Sequence, residues 1–152
     1  MGEPSHSSNQ PGSPASIVVQ RRIEWPDTDA SGNYHNTAAF RFIEVAETAL
    51  LERLGFLQDV YGRLPRVRIE ANFHRPLVFR DVVDISIRIA DVGRSSVTYA
   101  FEMRAHEQVA VDGRAVTVLL SKPRGAPVPW PDDYRRALLN AGPQAPELLT
   151  TG

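Results

Sequence analysis

Wound as an α-helix, residues Ala38 to Leu54 are apolar around most of their circumference. Phe40, Phe42, Ile43, Val45, Ala46, Ala49, Leu50 and Leu54 leave a narrow polar stripe of Arg41, Glu44, Thr48 and Glu52 at three- and four-residue spacing. A helix with that pattern has to be enclosed on several sides, and Gly55 stands where a left-handed C-cap would end it. The enclosure comes from the chain beyond residue 65, where the period changes to two. "RVRIEANF" alternates Val67, Ile69, Ala71 and Phe73 with polar residues, and "VVDISIRIA" does the same through Val83, Ile85, Ile87 and Ile89. "SVTYAFEMRA" continues the pattern, "AVTVLLSK" closes it, and "DVGRS" reads as a hairpin turn. Asp112-Gly113 reads as a turn or a bulge. With an early β-branched stretch, "SIVVQRRIEW", ended by Pro26 and Asp27, the sum is about five strands and one long helix. Short connections make the sheet antiparallel and curl it around the helix, an α+β arrangement.

The ends differ in composition. Residues 1–16 are Ser, Pro, Gly and Asn with almost no large apolar side chain, and are expected to be a disordered tail. A short helical segment, "PDDYRRALLNA", has Pro131 at a plausible first helical position, and residues 142–152 read as a flexible C-terminal tail. The folded unit expected is therefore one domain, residues 17–141 of 152. The 17 basic and 18 acidic residues are interspersed, which argues against nucleic acid or an anionic membrane as partner. Cysteine is absent, which removes thiol catalysis and thiolate metal sites; no His, Asp or Glu cluster has metal-ligand spacing, so neither metal nor cofactor is expected. No export signal or membrane-length apolar run is visible, and the chain reads as cytoplasmic.

The residues that carry chemistry gather at the helix entrance, in "EWPDTDASGNYHNTAAF". On residue type alone, Asp27 and Asp29 read first as turn and capping residues, with a functional carboxylate the alternative for Asp29, and Asn36 as a cap. A helix N-terminus also offers unpaired backbone N–H groups and a favourable dipole to developing negative charge.

The order of elements, with "DTDASGNYHNTAAFRFIEVAE" at the helix entrance and Phe73, Pro76 and Asp81 of "ANFHRPLVFRDVVDISIRI" later on, resembles the hotdog-fold acyl-CoA thioesterases of the 4-hydroxybenzoyl-CoA thioesterase type. The resemblance covers about residues 17–135. It departs at Asn33, where relatives with a Gly-His run carry histidine; the histidine here, His35, lies two residues further on. It implies an acyl-CoA thioesterase in which Asp29 attacks the thioester carbonyl or activates water, and His35 binds substrate or orients that water. Gly32 would let the backbone turn toward the ligand, and N–H groups around His35 and Asn36 would form the oxyanion site. Asn33, Glu44, Phe56 and Tyr61 are candidate substrate contacts, with pairing to Arg41 the alternative for Glu44. Among the basic residues near strand ends, Arg66, Arg68, Arg94, Lys122 and Arg124 are placed to meet coenzyme A phosphates or to be solvated surface charge. The resemblance further implies a homodimer or homotetramer with the site between subunits, which also suits a curled sheet with an exposed edge. The alternatives are an acyl-acyl carrier protein thioesterase and a non-catalytic acyl-CoA-binding domain. A hotdog hydratase would need a histidine on the central helix, and this helix has none.

Overall fold

The computed structural model describes residues 12–144 and 150–151. Strand β1 (Ser16–Arg22) leads through a 3-10 turn (Trp25–Asp27) into helix α1 (Asn36–Leu54). A single-turn helix α2 (Leu57–Val60) comes next, then strands β2 (Arg66–Phe73), β3 (Val82–Val92), β4 (Ser96–Ala105) and β5 (Gln108–Val118), helix α3 (Asp132–Asn140) and a two-residue strand β6 (Thr150–Thr151). The sheet order is β2-β5-β4-β3-β1-β6. All pairings are antiparallel except that of β6 with β1. The five expected strands and the helix are all present, with β6 as an addition.

Helix α1 lies against one face of this sheet. Ala38, Ala39, Phe42, Ile43, Ala46, Leu50 and Leu51 form one apolar cluster with Val83, Ile85, Ile87 and Ile89 of β3 and with Val97, Tyr99, Phe101 and Met103 of β4. Burying a side chain such as Ile43 or Leu50 contributes roughly 2 kcal/mol, so packing rather than propensity holds the helix. Gly55 ends it in the left-handed conformation, φ 90°, its N–H returning to Leu51 and Glu52 carbonyls. Among the described residues no helix is long and apolar enough to cross a membrane.

Several expectations are corrected by the structure. Val67 and Phe73 of β2 are 58% and 45% exposed, while Ile69 and Ala71 pack partly buried against the core: β2 is the edge strand, and within this chain its two ends are left uncovered. Asp112-Gly113 is neither turn nor bulge but lies within β5, opposite Asn72 and Ala71 of β2. Glycine is needed there because a Cβ would stand 2.0 Å from the Glu70 carbonyl and 2.8 Å from the Phe101 ring. The β4–β5 turn is made instead by His106 and Glu107, both left-handed at φ 54° and 64°, which no Asn-Gly pair had signalled. Pro131 occupies the position before α3 rather than its first turn.

The folded unit also runs past its expected limits. Ala15 is fully buried, its N–H donating to the Leu138 carbonyl, and Gly142 N–H donates to Ser13. Arg53 binds these two stretches together, donating to the carbonyls of Ser16 (2.9 Å), Gly142 (2.7 Å) and Ala141 (3.0 Å). The remainder of the expected tails, residues 1–11, 145–149 and 152, lies outside the described residues.

Candidate active site

After β1 the chain turns sharply, and Asp27 is what fixes the turn. Its carboxylate is buried, accepts from Glu24 N–H at 2.8 Å and pairs with the Arg41 guanidinium of α1. Its carbonyl accepts from His35 N–H at 2.7 Å, so one aspartate ties the strand end to the helix entrance. Arg41 is thereby committed to Asp27 and does not pair with Glu44.

Asp29 stands in the opposite situation, exposed at the loop surface. Its carboxylate accepts from the Ser31 N–H (2.8 Å) and the Ser31 hydroxyl (2.5 Å), an Asx-type turn. Those two bonds, with a smaller contribution from His35, hold the Asp29 carboxyl below the usual carboxylate range. It is therefore ionised at neutral pH. Gly32, at φ 83°, lets the loop close so that its N–H reaches the Asp29 carbonyl and Asp29 N–H reaches Asn33.

The second motif packs directly on the first. Tyr34 N–H donates to the Leu77 carbonyl at 2.6 Å, and Asn33 bridges to Val78. Asp81 holds this segment in shape, accepting from Val78 N–H on its side chain and from Ile23 N–H on its carbonyl, while His106 contacts the other carboxylate oxygen at 3.0 Å. Together the two segments enclose a cleft of about 280 Å³ whose walls include Asp29, Asn33, Asn36, Phe73, His74 and Pro76.

At the helix entrance the cap is His35, not Asn36. His35 Nδ1 accepts from Thr37 N–H at 3.1 Å, which puts the imidazole's hydrogen on Nε2. Since His35 N–H donates to Asp27 and Thr37 N–H to the cap, the donors for an oxyanion narrow to Asn36 N–H. It has no partner among the described residues and lies in the wall of the Asp29 cleft.

Glu44 and Tyr61 line a different concavity, a groove between α1 and α2. Phe56 does not join them: it is buried, stacked on Tyr134 with ring centroids 4.1 Å apart and packed near Trp130, so it is a core residue rather than a pocket wall. One residue of that groove has no counterpart among the sequence expectations. Glu47 is buried on α1 and paired with Arg66 at 2.8 Å, which also removes Arg66 from the freely solvated cations. The signal was present in the sequence, since Glu47 is a carboxylate of α1 lying off the polar stripe. Burial pushes its carboxyl upward, against the opposing pull of Arg66. Among the described residues no group of three or more potential metal-ligating side chains occurs.

The model of the thioesterase-like superfamily matches residues 23–138. A 1,4-dihydroxy-2-naphthoyl-CoA hydrolase from Prochlorococcus marinus is 26% identical over 61% of this chain and 68% of its own. The solved structure of a thioesterase from Thermus thermophilus, complexed with coenzyme A and Zn, is 26% identical and superposes with a TM-score of 0.72 over 80% of this chain and 90% of its own. A 4-hydroxybenzoyl-CoA thioesterase, solved with 4-hydroxybenzoyl-CoA, shares the fold with a TM-score of 0.74 at 22% identity, over 81% of this chain and 98% of its own.

Proposed function

Because this chain belongs to the thioesterase-like superfamily of the hotdog fold, we propose that it is a cytoplasmic enzyme hydrolysing an acyl-CoA thioester to the free acid and coenzyme A. The observation that carries the proposal is that an ionised, exposed Asp29 and Asn36, whose N–H has no partner among the described residues, line one cleft at the N-terminus of α1. A thioester asks little more of a protein. The departing thiol has a pKa of about 8.5 and leaves without a general acid, so an attacking group and an oxyanion donor suffice. Either Asp29 adds to the carbonyl carbon, expelling the thiolate and leaving an anhydride that water then opens, or it takes a proton from the water that attacks. In both routes the carbonyl oxygen gains negative charge, and the helix N-terminus favours that charge. His35 caps the helix through Nδ1 and is not among the residues lining the cleft, so the reading rests on Asp29 and Asn36 rather than on His35.

We place the complete site in a homodimer. The edge strand β2 presents unpaired backbone groups together with exposed Val67 and Phe73, and Phe73 also lines the Asp29 cleft. A second copy pairing with that edge would cover both. The direct test is a panel of short, medium, long and aromatic acyl-CoAs assayed for thiol release. At least one is expected to be hydrolysed far above the uncatalysed rate, and uniform inactivity would overturn the reading.

A further inference from the structure

Beside the Asp29 loop stands a surface that the proposed chemistry does not use. Trp25 projects from the 3-10 turn, 71% exposed, its ring perpendicular to that of Phe79 with centroids 5.7 Å apart. Phe79 is itself exposed, as are Val78 and Val82 on the same segment. The Arg80 guanidinium lies over the Phe79 ring, 5.8 Å from its centroid, and Arg22 stands opposite Val82 where β1 pairs with β3. Arg80 N–H donates to the carbonyl of Ile23, the residue after Arg22, so the two cations flank one apolar patch. Among the described residues neither forms an ion pair. The carboxylates nearby are largely committed: Asp27 to Arg41 and Asp81 to His106, which leaves Glu24 exposed. Single exposed apolar side chains are ordinary, but a cluster of them bordered by unpaired cations marks a contact surface. Arg80 adds a second observation. It is held in the left-handed region, φ 79°, where any side chain incurs a penalty that glycine would avoid.

We infer that this patch seats the protein on an anionic lipid surface, with Trp25 and Phe79 entering the headgroup region and Arg22 and Arg80 meeting lipid phosphates. An indole suits that boundary because its body is apolar and its N–H polar, and arginines beside it add attraction to negative headgroups. The mixing of charge along the sequence argues against such a partner; the pairing of β1 with β3 overrides it by gathering arginines from distant parts of the chain. A second copy paired on β2 would not cover the patch, since β3 and β1 lie three and four places from β2 in the sheet. Trp25, Phe79 and Arg80 line neither the Asp29 cleft nor the groove between α1 and α2. Projecting rings bordered by cations fit a yielding, negatively charged plane better than the helix or peptide that a groove would receive. Val78 is bridged to Asn33 in the wall of the Asp29 cleft, so the seated protein holds that cleft near the boundary where an amphiphilic thioester collects. That consequence rests on the thioesterase reading; the lipid binding does not.

The full-length protein is mixed with vesicles of phosphatidylcholine alone or of phosphatidylcholine with phosphatidylserine, and binding is followed by co-sedimentation and by tryptophan emission. The chain's other tryptophan, Trp130, is buried with its Nε1–H on the Ser96 carbonyl, so a blue shift reports on Trp25. Binding with a blue shift is expected on the phosphatidylserine vesicles and should weaken as salt is raised. No binding, or equal binding to both kinds of vesicle, overturns the inference. Arg22→Gln and Arg80→Gln are each expected to weaken binding about fivefold, and Trp25→Ala to weaken it and remove the shift. Arg136→Gln, at an exposed position of α3, should leave it unchanged. Arg80→Gly separates charge from fold: it relieves the left-handed backbone, so the melting temperature should hold or rise while binding falls. If Arg80→Gly and Trp25→Ala bind as the parent does, contact is made elsewhere and the patch is not the seat. A blue shift with polyglutamate and none with vesicles would assign the patch to an acidic protein and equally overturn the inference. Thiol release from the acyl-CoA panel is read without vesicles, so loss of lipid binding and loss of turnover are told apart.

Discussion

Two aspartates separated by one residue have opposite surroundings, and those surroundings carry the roles proposed for them. Asp27 is buried and holds Arg41 and the Glu24 N–H; Asp29 is exposed and bonded only within its own loop, its side chain to Ser31. Asp29→Asn keeps the size of the side chain but can neither form an anhydride nor accept a proton from water. Turnover of the preferred thioester is expected to drop by at least about 100-fold with the melting temperature nearly unchanged. Asp27→Asn leaves Arg41 without its counter-charge and is expected to lower the melting temperature more than it lowers turnover. Measuring both quantities on both variants decides the assignment, and a dead Asp27→Asn beside an active Asp29→Asn would reverse it. Ser31 supplies a pH test of the same carboxylate. Its hydrogen bonds depress the Asp29 carboxyl, so the ionised form persists to lower pH than in an ordinary carboxylate. Ser31→Ala removes the hydroxyl donor and lets that value rise. The acid limb of the kcat/KM profile should therefore move to higher pH in the variant, with the plateau above it retained.

At the scale of elements, α1 is placed by both of its ends: His35 caps the start, and left-handed Gly55 closes the stop. The entrance thereby gives up the N–H groups around the cap except that of Asn36, the donor that the proposed oxyanion site would use. The β4–β5 hairpin is held in the left-handed region by two residues that incur a steric penalty there, His106 and Glu107. His106 is anchored by Asp81, but Glu107 is exposed with no such contact among the described residues. Glu107→Gly should accordingly raise stability by about 0.5–1 kcal/mol in chemical denaturation, and a loss would show that its side chain does more than tolerate the turn.

For the whole molecule, the described chain is closed on one side and open on the other. On the closed side, Ser16 and residues 141–143 are bound together through Arg53, and Ala15 N–H donates to Leu138. Deleting residues 1–16 removes buried Ala15 and the Ser16 partner of Arg53, and is expected to cost roughly 2 kcal/mol or more, read as a fall in melting temperature. On the open side stands β2. Val67→Lys places a charge on its exposed edge; the variant is expected to sediment as a folded monomer and to lose turnover, whereas an active monomer would contradict a shared site. The alternation of apolar residues in β3 and β4, the helical stripe of α1 and Gly55 were legible in the sequence because periodicity and cap chemistry are local properties. The meeting of the Asp29 loop with the Phe73 to Asp81 segment was not legible, because the contacts that join them form only on folding. Val67 and Phe73 show where local reading ends: their alternation is that of a half-buried strand, but burial depends on which strand lies at the edge, and pairing order is not written in any one segment. The same is true of Phe56, drawn into the core by Trp130 and Tyr134 from more than seventy residues away, and of Glu47, a charge that only the packing of α1 on β2, β4 and β5 could bury. Sequence by itself determined which segments are helix and strand and where the ionisable groups gather; tertiary structure decided which of those groups lose water, because desolvation is set by neighbours that the chain brings together only on folding.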